Sequence, residues 1–168
     1  MKNVGKALGL DKLLVDETIH FSFALVIGFV LAVVFSSPWL ILFSLLIGFF
    51  IDADHLVDYF ICFYQNRQLI NKKNWFNPIF HLKNFFDPLC YVKKSNRVIV
   101  PLHGWELAPL FWLILRWLGK KIGFNGLEWT TLAYVAHLSW DQLVCAGNWR
   151  SYFFVYRLLN RFSYEAYK

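Results

Sequence analysis

The sequence has few charged residues. Asp, Glu, Lys and Arg make up 17% of the chain, whereas hydrophobic residues make up 58%. No residue between Phe21 and Ile51 is charged. Since this apolar share exceeds that of ordinary soluble domains, the composition predicts a small membrane protein. A signal peptide is not expected, because Asp11, Asp16 and Glu17 precede the apolar run.

Cysteine is also scarce, and the positive charge is not concentrated in one segment. Cys62, Cys90 and Cys145 stand far apart without a CxxC pair, which argues against a disulfide framework or a thiolate metal site. The net charge of +6 comes from basic residues in loops and chain ends, not from an arginine-rich stripe. This distribution favours anionic membrane lipid as a partner, and no nucleic acid is expected.

Four apolar segments predict an all-α fold, a membrane-embedded four-helix bundle in one domain. We expect its helices at residues 18–35, 38–63, 101–118 and 127–146. A long basic loop, 65–97, separates the second and third helices, because it contains Pro78, Pro88 and several Asn. The tail, 149–168, combines Arg and Lys with many aromatics, a pattern typical of an amphipathic helix in the membrane interface.

The basic residues also predict an orientation. If all four helices cross, most of the 17 Lys and Arg lie on one side, in the N-terminus, the 65–97 loop and the tail. The positive-inside rule places that side in the cytoplasm, and we expect a bacterial inner membrane. The uncharged run of the first helix, 21–35, is shorter than the roughly 20 residues a span needs, so a half-embedded bundle stays open.

The ionisable residues within this apolar chain fall at one end of the predicted bundle. Several are spaced by three or four residues, which places them on one helical face. Small residues such as Gly28, Gly48 and Ala133 share those faces and permit close helix packing. We therefore expect the polar side chains to meet in one pocket on the basic side. The candidates are His20, Asp52, Asp54, His55, His103, Glu106, His137 and Asp141.

Carboxylates in an apolar bundle are costly unless a cation accepts their charge. Nitrogen and oxygen donors suit zinc, and also manganese or iron; the number of donors predicts one or two ions. The predicted metal ligands are His20, Asp54, His55, His103, His137 and Asp141. Asp52 and Glu106 are assigned to orienting and general-base duties, with Glu106 taking the proton from an attacking water. Lys72, Lys73, Lys93 and Lys94 are expected to attract an anionic headgroup.

The motifs "DADH" at 52–55, "HGWE" at 103–106 and "HLSWD" at 137–141, after a histidine in the first helix, resemble the bacterial membrane-bound metal-dependent hydrolases, inner-membrane proteins once described as LexA-regulated. The order of ligands is also similar to that of zinc-dependent phospholipase C and related all-helical nucleases, whose HxxxD motif resembles His137 and Asp141. These resemblances imply hydrolysis of a phosphoester, with a lipid or prenyl phosphate as the substrate class.

Alternatives remain at this point. The cluster suits a non-catalytic metal or proton transporter, although the segment before Asp52 offers only serines for an ion path. A di-iron oxidase is disfavoured, because its design repeats Glu-x-x-His on two helices and this sequence has no such pair. Buried salt bridges to Lys and Arg, without any metal, are the simplest alternative. Asp16 is interpreted as a helix-start charge, while His81 and Asp58 are given minor roles.

Overall fold

The computed structural model describes residues 4–65, 96–144 and 148–167, and side chains within 15–57, 59–61, 96–144 and 148–166. These residues are mostly helical and contain no strand, which confirms the all-α class. They fall into two compact units. The first unit draws on Met1–Ile51 and Gly104–Cys145, and the second on Asp52–His103 and Ala146–Lys168.

The helices of the described chain are named in order. The α-helices are α1 (Val4–Val34), α2 (Trp39–Gly48), α3 (His55–Gln65), α4 (Leu107–Ile122), α5 (Thr131–Val144), α6 (Phe154–Leu159) and α7 (Tyr164–Tyr167). Short 3-10 helices cover Phe50–Asp54, Leu127–Thr130 and Trp149–Tyr152.

Helix α1 begins much earlier than the predicted residue 18. No proline interrupts the segment from Val4 to Val34, so the helix continues through its polar N-terminal part. It ends where Ser36 adopts a left-handed φ of 52° and Pro38 follows. Within it, Val15–Val34 is long and apolar enough to cross a membrane. Trp39–Gly48 and Phe50–Ile61 pass the same test only if taken together as one bent span.

The second predicted helix, 38–63, is wrong as one continuous helix. Helix α2 ends at Gly48, and a 3-10 turn leads into α3. Glycine is a poor helix former, and the carboxylate of Asp54 accepts a hydrogen bond from the backbone of Leu102. Such side-chain to backbone bonds compete with a regular helix.

The third and fourth predicted helices are shifted along the chain. Helix α4 begins only at Leu107, so His103 and Glu106 precede it, and the prediction that they share a helical face is wrong. The helix continues to Ile122 and ends at Gly123, whose φ of 69° suits a left-handed C-cap. The fourth segment starts as a 3-10 helix at Leu127 and becomes α5 at Thr131.

The first unit packs through the small residues identified in the sequence. Helix α1 lies against α2 at Gly28, where an added Cβ would be 2.8 Å from Ile41 Cα. Helix α2 lies against α5 at Gly48, where an added Cβ would be 2.7 Å from Ala133 Cβ. The expected close packing at these positions is confirmed. A buried cluster of leucines completes this core: Leu31, Leu40 and Leu127.

The second unit has a smaller core around Val98 and Val100, packed against Tyr59 and Tyr164. The single amphipathic helix predicted for 149–168 is wrong, because the tail forms three short helices. Phe153 is extended and breaks the helical path.

A turn with left-handed φ angles of 53° at Arg161 and 57° at Phe162 separates the last two helices. Residues 145–147 and most of the predicted basic loop lie outside the described residues, so the assignments made for His81, Lys72, Lys73, Lys93, Lys94, Cys90 and Cys145 lie there too, and the side chain of Cys62 is also outside them. The side chain of Asp58 is also outside them.

Candidate metal centres

The first unit brings two predicted histidines onto one predicted carboxylate. His20 of α1 and His137 of α5 are stacked, with ring centroids 3.8 Å apart. The Nε2 atom of His20 lies 2.9 Å from Oδ1 of Asp141, and that of His137 lies 3.3 Å from Oδ2. In a tetrahedral zinc site, donor atoms lie about 3.3 Å apart, so these separations match those of ligands sharing an ion.

The hydrogen bond that His137 Nδ1 makes shows which ring nitrogen carries a proton. Nδ1 lies 2.8 Å from the carbonyl oxygen of Gly48. Because a carbonyl only accepts, Nδ1–H must be the donor. In the neutral imidazole, Nε2 then presents a lone pair to Asp141 Oδ2, so two acceptors face each other. A cation, either an extra proton or a metal ion, relieves this repulsion, and a carbonyl on the distal nitrogen is a common support for a metal-bound histidine.

Asp16 belongs to this group although its sequence position suggested a helix-start charge. That interpretation is wrong, because α1 begins at Val4 and Asp16 lies in its interior. Its Oδ2 is 3.9 Å from His20 Nε2, and Asp16, His20 and Asp141 can each offer a ligand atom within 4.8 Å of the others. Trp140 Nε1 donates to Asp16 Oδ1 at 2.6 Å and fixes the carboxylate.

The second unit places His103 between two carboxylates. His103 is 4% exposed and precedes α4 in irregular backbone. Its Nδ1 lies 3.0 Å and 3.1 Å from the two oxygens of Asp54, and its Nε2 lies 3.1 Å from Asp52 Oδ1. One neutral imidazole has only one N–H. The ring can donate to both carboxylates at once only as an imidazolium. A neutral imidazole donates to one of them and presents the lone pair of its other nitrogen, to which a metal ion can bind.

The two aspartates of this group have different surroundings. Asp54 is almost fully buried and also accepts a hydrogen bond of 2.6 Å from the amide of Leu102. Asp52 is more exposed, and its Oδ1 faces His55 Nε2 at 3.8 Å as well as His103 Nε2. Asp54 thus resembles the buried carboxylate that orients a metal-bound histidine, whereas Asp52 directs the same oxygen towards two imidazoles.

The structure therefore brings together seven of the eight predicted residues in two groups, one within each unit, and adds Asp16. The first group is Asp16, His20, His137 and Asp141, and the second is Asp52, Asp54, His55 and His103. Within each unit, three of these residues can offer ligand atoms that all lie within 4.8 Å of one another and could hold a metal ion: Asp16, His20 and Asp141 in the first, and Asp54, His55 and His103 in the second. That all donors share one pocket stays a prediction.

Glu106 is half-buried and lies just before α4. Among the side chains that the structure describes, it is in none of the groups close enough to share an ion. Its predicted role as a general base is therefore untested.

One missed residue could have been found from the sequence. Asp16 and His20 have the same four-residue spacing as His137 and Asp141, but Asp16 is less conspicuous because it precedes the uncharged run.

Protein-family models, curated proteins and solved structures were all compared with this chain, and none of them matches.

Proposed function

We propose that this protein is a metal-dependent hydrolase of the membrane surface that cleaves a phosphoester. The observation that carries the proposal is the pairing of imidazole nitrogens with buried carboxylates. His137 Nε2 faces Asp141 while its Nδ1–H is held by a backbone carbonyl, and His103 has a carboxylate at each nitrogen. Zinc is the expected ion, since the donors are nitrogen and oxygen without cysteine.

The residues divide by what they contact. In the second group we assign His103 Nε2, His55 Nε2 and Asp52 as ligands, with Asp54 orienting His103 through Nδ1. In the first group the ligands are His20, His137 and Asp141, and Asp16 is a further oxygen donor. A divalent ion in such sites supplies Lewis-acid activation of water near neutral pH. Glu106 remains the proposed base for that water.

The surface of α1 supports the membrane location. Its apolar segment is largely exposed, unlike the core helix of a soluble protein. The exposed side chains include Val26, Phe29, Val30, Val33 and Val34. Lipid is the solvent that suits such a surface. The motif resemblance to membrane-bound hydrolases and to zinc phospholipases supports a lipid-like phosphoester as substrate.

The experiment compares ligand variants with a base variant. Protein purified without added metal is analysed for zinc, manganese and iron, and then assayed on a generic phosphodiester. His103→Ala and His137→Asn should each lose metal and turnover. In His137→Asn the new side-chain amide can still donate to the Gly48 carbonyl, so this hydrogen bond between α5 and α2 is kept. Glu106→Gln is the matched control and should keep its metal but lose turnover.

The outcomes separate the parts of the proposal. If both histidine variants keep the metal content of the wild type, the proposal that these groups bind metal is refuted. Full turnover in Glu106→Gln would contradict only the assignment of Glu106 as the general base. Metal-loaded protein without turnover on any phosphoester would favour the alternative, a non-catalytic protein that binds or transports metal ions.

A further inference from the structure

A guanidinium is buried beneath the segment that carries His103. Arg157, on the short helix α6, is 4% exposed. Burying a charged side chain is costly unless its hydrogen-bonding capacity is used. Its guanidinium donates hydrogen bonds to the backbone carbonyls of residues 99, 100 and 103, all within one short irregular segment.

The hydrogen bonds of Arg157 hold this segment at both ends. Nη1 donates to the carbonyl of Val100 at 2.8 Å and to that of Ile99 at 3.3 Å. Nη2 donates to the carbonyl of His103 itself at 2.7 Å. The Val100 carbonyl also accepts from the amide of His103. A planar guanidinium with several donors can bridge separated carbonyls, which a lysine ammonium at one point cannot do equally well.

The tail around Arg157 is itself attached to the same segment. The amide of Val98 donates to the carbonyl of Phe162, and the amide of Tyr164 donates to the carbonyl of Asn96. The amide of Phe162 donates back to the carbonyl of Arg157 at 2.7 Å. These bonds fix Arg157 relative to residues 96–98, so its guanidinium can hold the backbone of His103 in a fixed position.

From this geometry we infer that Arg157 is a positioning residue for His103, and that the C-terminal tail serves the metal group of the second unit. The inference rests on the proposed function, because it assigns His103 as a ligand. The ring of His103 is held at Nδ1 by Asp54, and Arg157 fixes the backbone from which that ring projects. Replacing Arg157 removes no ligand, and we expect it to disturb the alignment of His103.

The test compares Arg157→Lys with Arg150→Lys in the full-length protein. Both changes keep the charge, but Arg150 is an exposed residue of the same tail. Co²⁺ titration, followed by its visible absorption, measures affinity and ligand geometry. We expect Arg157→Lys to weaken Co²⁺ binding about 10–100-fold, as is usual when a support of a ligand is lost, and to alter the spectrum. Arg150→Lys should match wild type.

A second measurement does not need a metal. Nitrogen NMR of the histidine side chains, with His103 assigned through His103→Gln, reports the protonation and hydrogen bonding of its two ring nitrogens in metal-free protein. Because each ring nitrogen of the wild type faces a carboxylate, we expect one defined set of nitrogen signals, and Arg157→Lys should shift or broaden them. Adding a low concentration of guanidinium to Arg157→Ala should restore part of the wild-type signal.

Several results would overturn the inference. An Arg157→Lys variant that matches wild type in both the Co²⁺ spectrum and the nitrogen signals of His103 would show that Arg157 does not position this ring. General loss of helix content in Arg157→Lys would also contradict the inference, since Arg157 would then support the whole fold. If the wild type binds no Co²⁺, the proposed function fails, whereas the NMR comparison still decides the role of Arg157.

Discussion

Replacing Gly48 by alanine tests the contact that links helix packing to the His137 group. The new Cβ would lie 2.7 Å from Ala133 Cβ and 3.1 Å from its carbonyl oxygen. Carbon atoms normally approach no closer than about 3.5 Å, so α2 and α5 must separate by roughly 0.8 Å. Overpacking of this kind costs about 1–3 kcal/mol. Alanine recovers up to about 1 kcal/mol of helix propensity, and less at the last residue of α2.

With about half of that propensity gain, the net expected loss of stability is about 0.5–2.5 kcal/mol, which lowers Tm by roughly 1–10 °C for a chain of this length. The same displacement also affects His137. Its Nδ1 is 2.8 Å from the Gly48 carbonyl, and a shift of roughly 0.8 Å brings it to about 3.6 Å, beyond hydrogen-bonding distance. Because this hydrogen bond supports His137, we expect its loss to lower the zinc affinity of this group about 10–100-fold.

Gly28→Ala is the matched control. Its Cβ would lie 2.8 Å from Ile41 Cα and 3.0 Å from Ser44 Cβ, so a similar steric cost falls on the α1–α2 contact, away from the Gly48 carbonyl. Thermal melting by circular dichroism in micelles, with zinc competition titrations, measures both variants. Equal losses of zinc affinity in the two would refute the link through His137. An unchanged Tm in Gly48→Ala would refute the packing argument.

Two further substitutions follow from the same reasoning. Asp16→Asn keeps an oxygen that can accept from Trp140 but removes the charge beside His20, so competition titrations should show zinc binding weakened about tenfold. Glu17→Gln is the control, and equal weakening of zinc binding in Glu17→Gln would contradict a specific role of Asp16. Gly126→Ala should destabilise more than Gly123→Ala in thermal melts, because both residues have positive φ but only at Gly126 would the Cβ meet a side chain, the ring of Phe35 at 2.5 Å. The backbone cost is about 1–2 kcal/mol in each, and equal melting temperatures would rule out the Phe35 clash.

The helical class was predictable because uncharged runs of this length have few other structures available. The positions where helices break were not. Between Gly48 and His55 the sequence contains no proline, and the break coincides with a carboxylate that accepts a hydrogen bond from Leu102, almost fifty residues away in the chain. A local pattern contains no information about such a distant donor. For the same reason, the local pattern predicted His103 within a helix, whereas the helix begins four residues later, at Leu107.

The histidines and aspartates of the candidate groups were predictable for a different reason. In a chain with 17% charged residues, an ionisable side chain next to an apolar run is conspicuous, and a spacing of four residues places a pair on one face. The role of Asp16 was misassigned and Arg157 was not singled out within the tail, because each stands among other charges and is indistinguishable in sequence from a solvated residue. Their burial and partners depend on tertiary packing alone.

The support of His137 shows where sequence reasoning ends for this site. The group that fixes its proton is the backbone carbonyl of Gly48, and a carbonyl is present at every position whatever the side chain. Glycine matters there for another reason, since it lets α2 approach Ala133 closely enough to bring that carbonyl within 2.8 Å of the ring. The sequence therefore shows the small residue and the histidine separately. The distance between α2 and α5 in the folded structure is what connects helix packing to the proton position on the His137 ring.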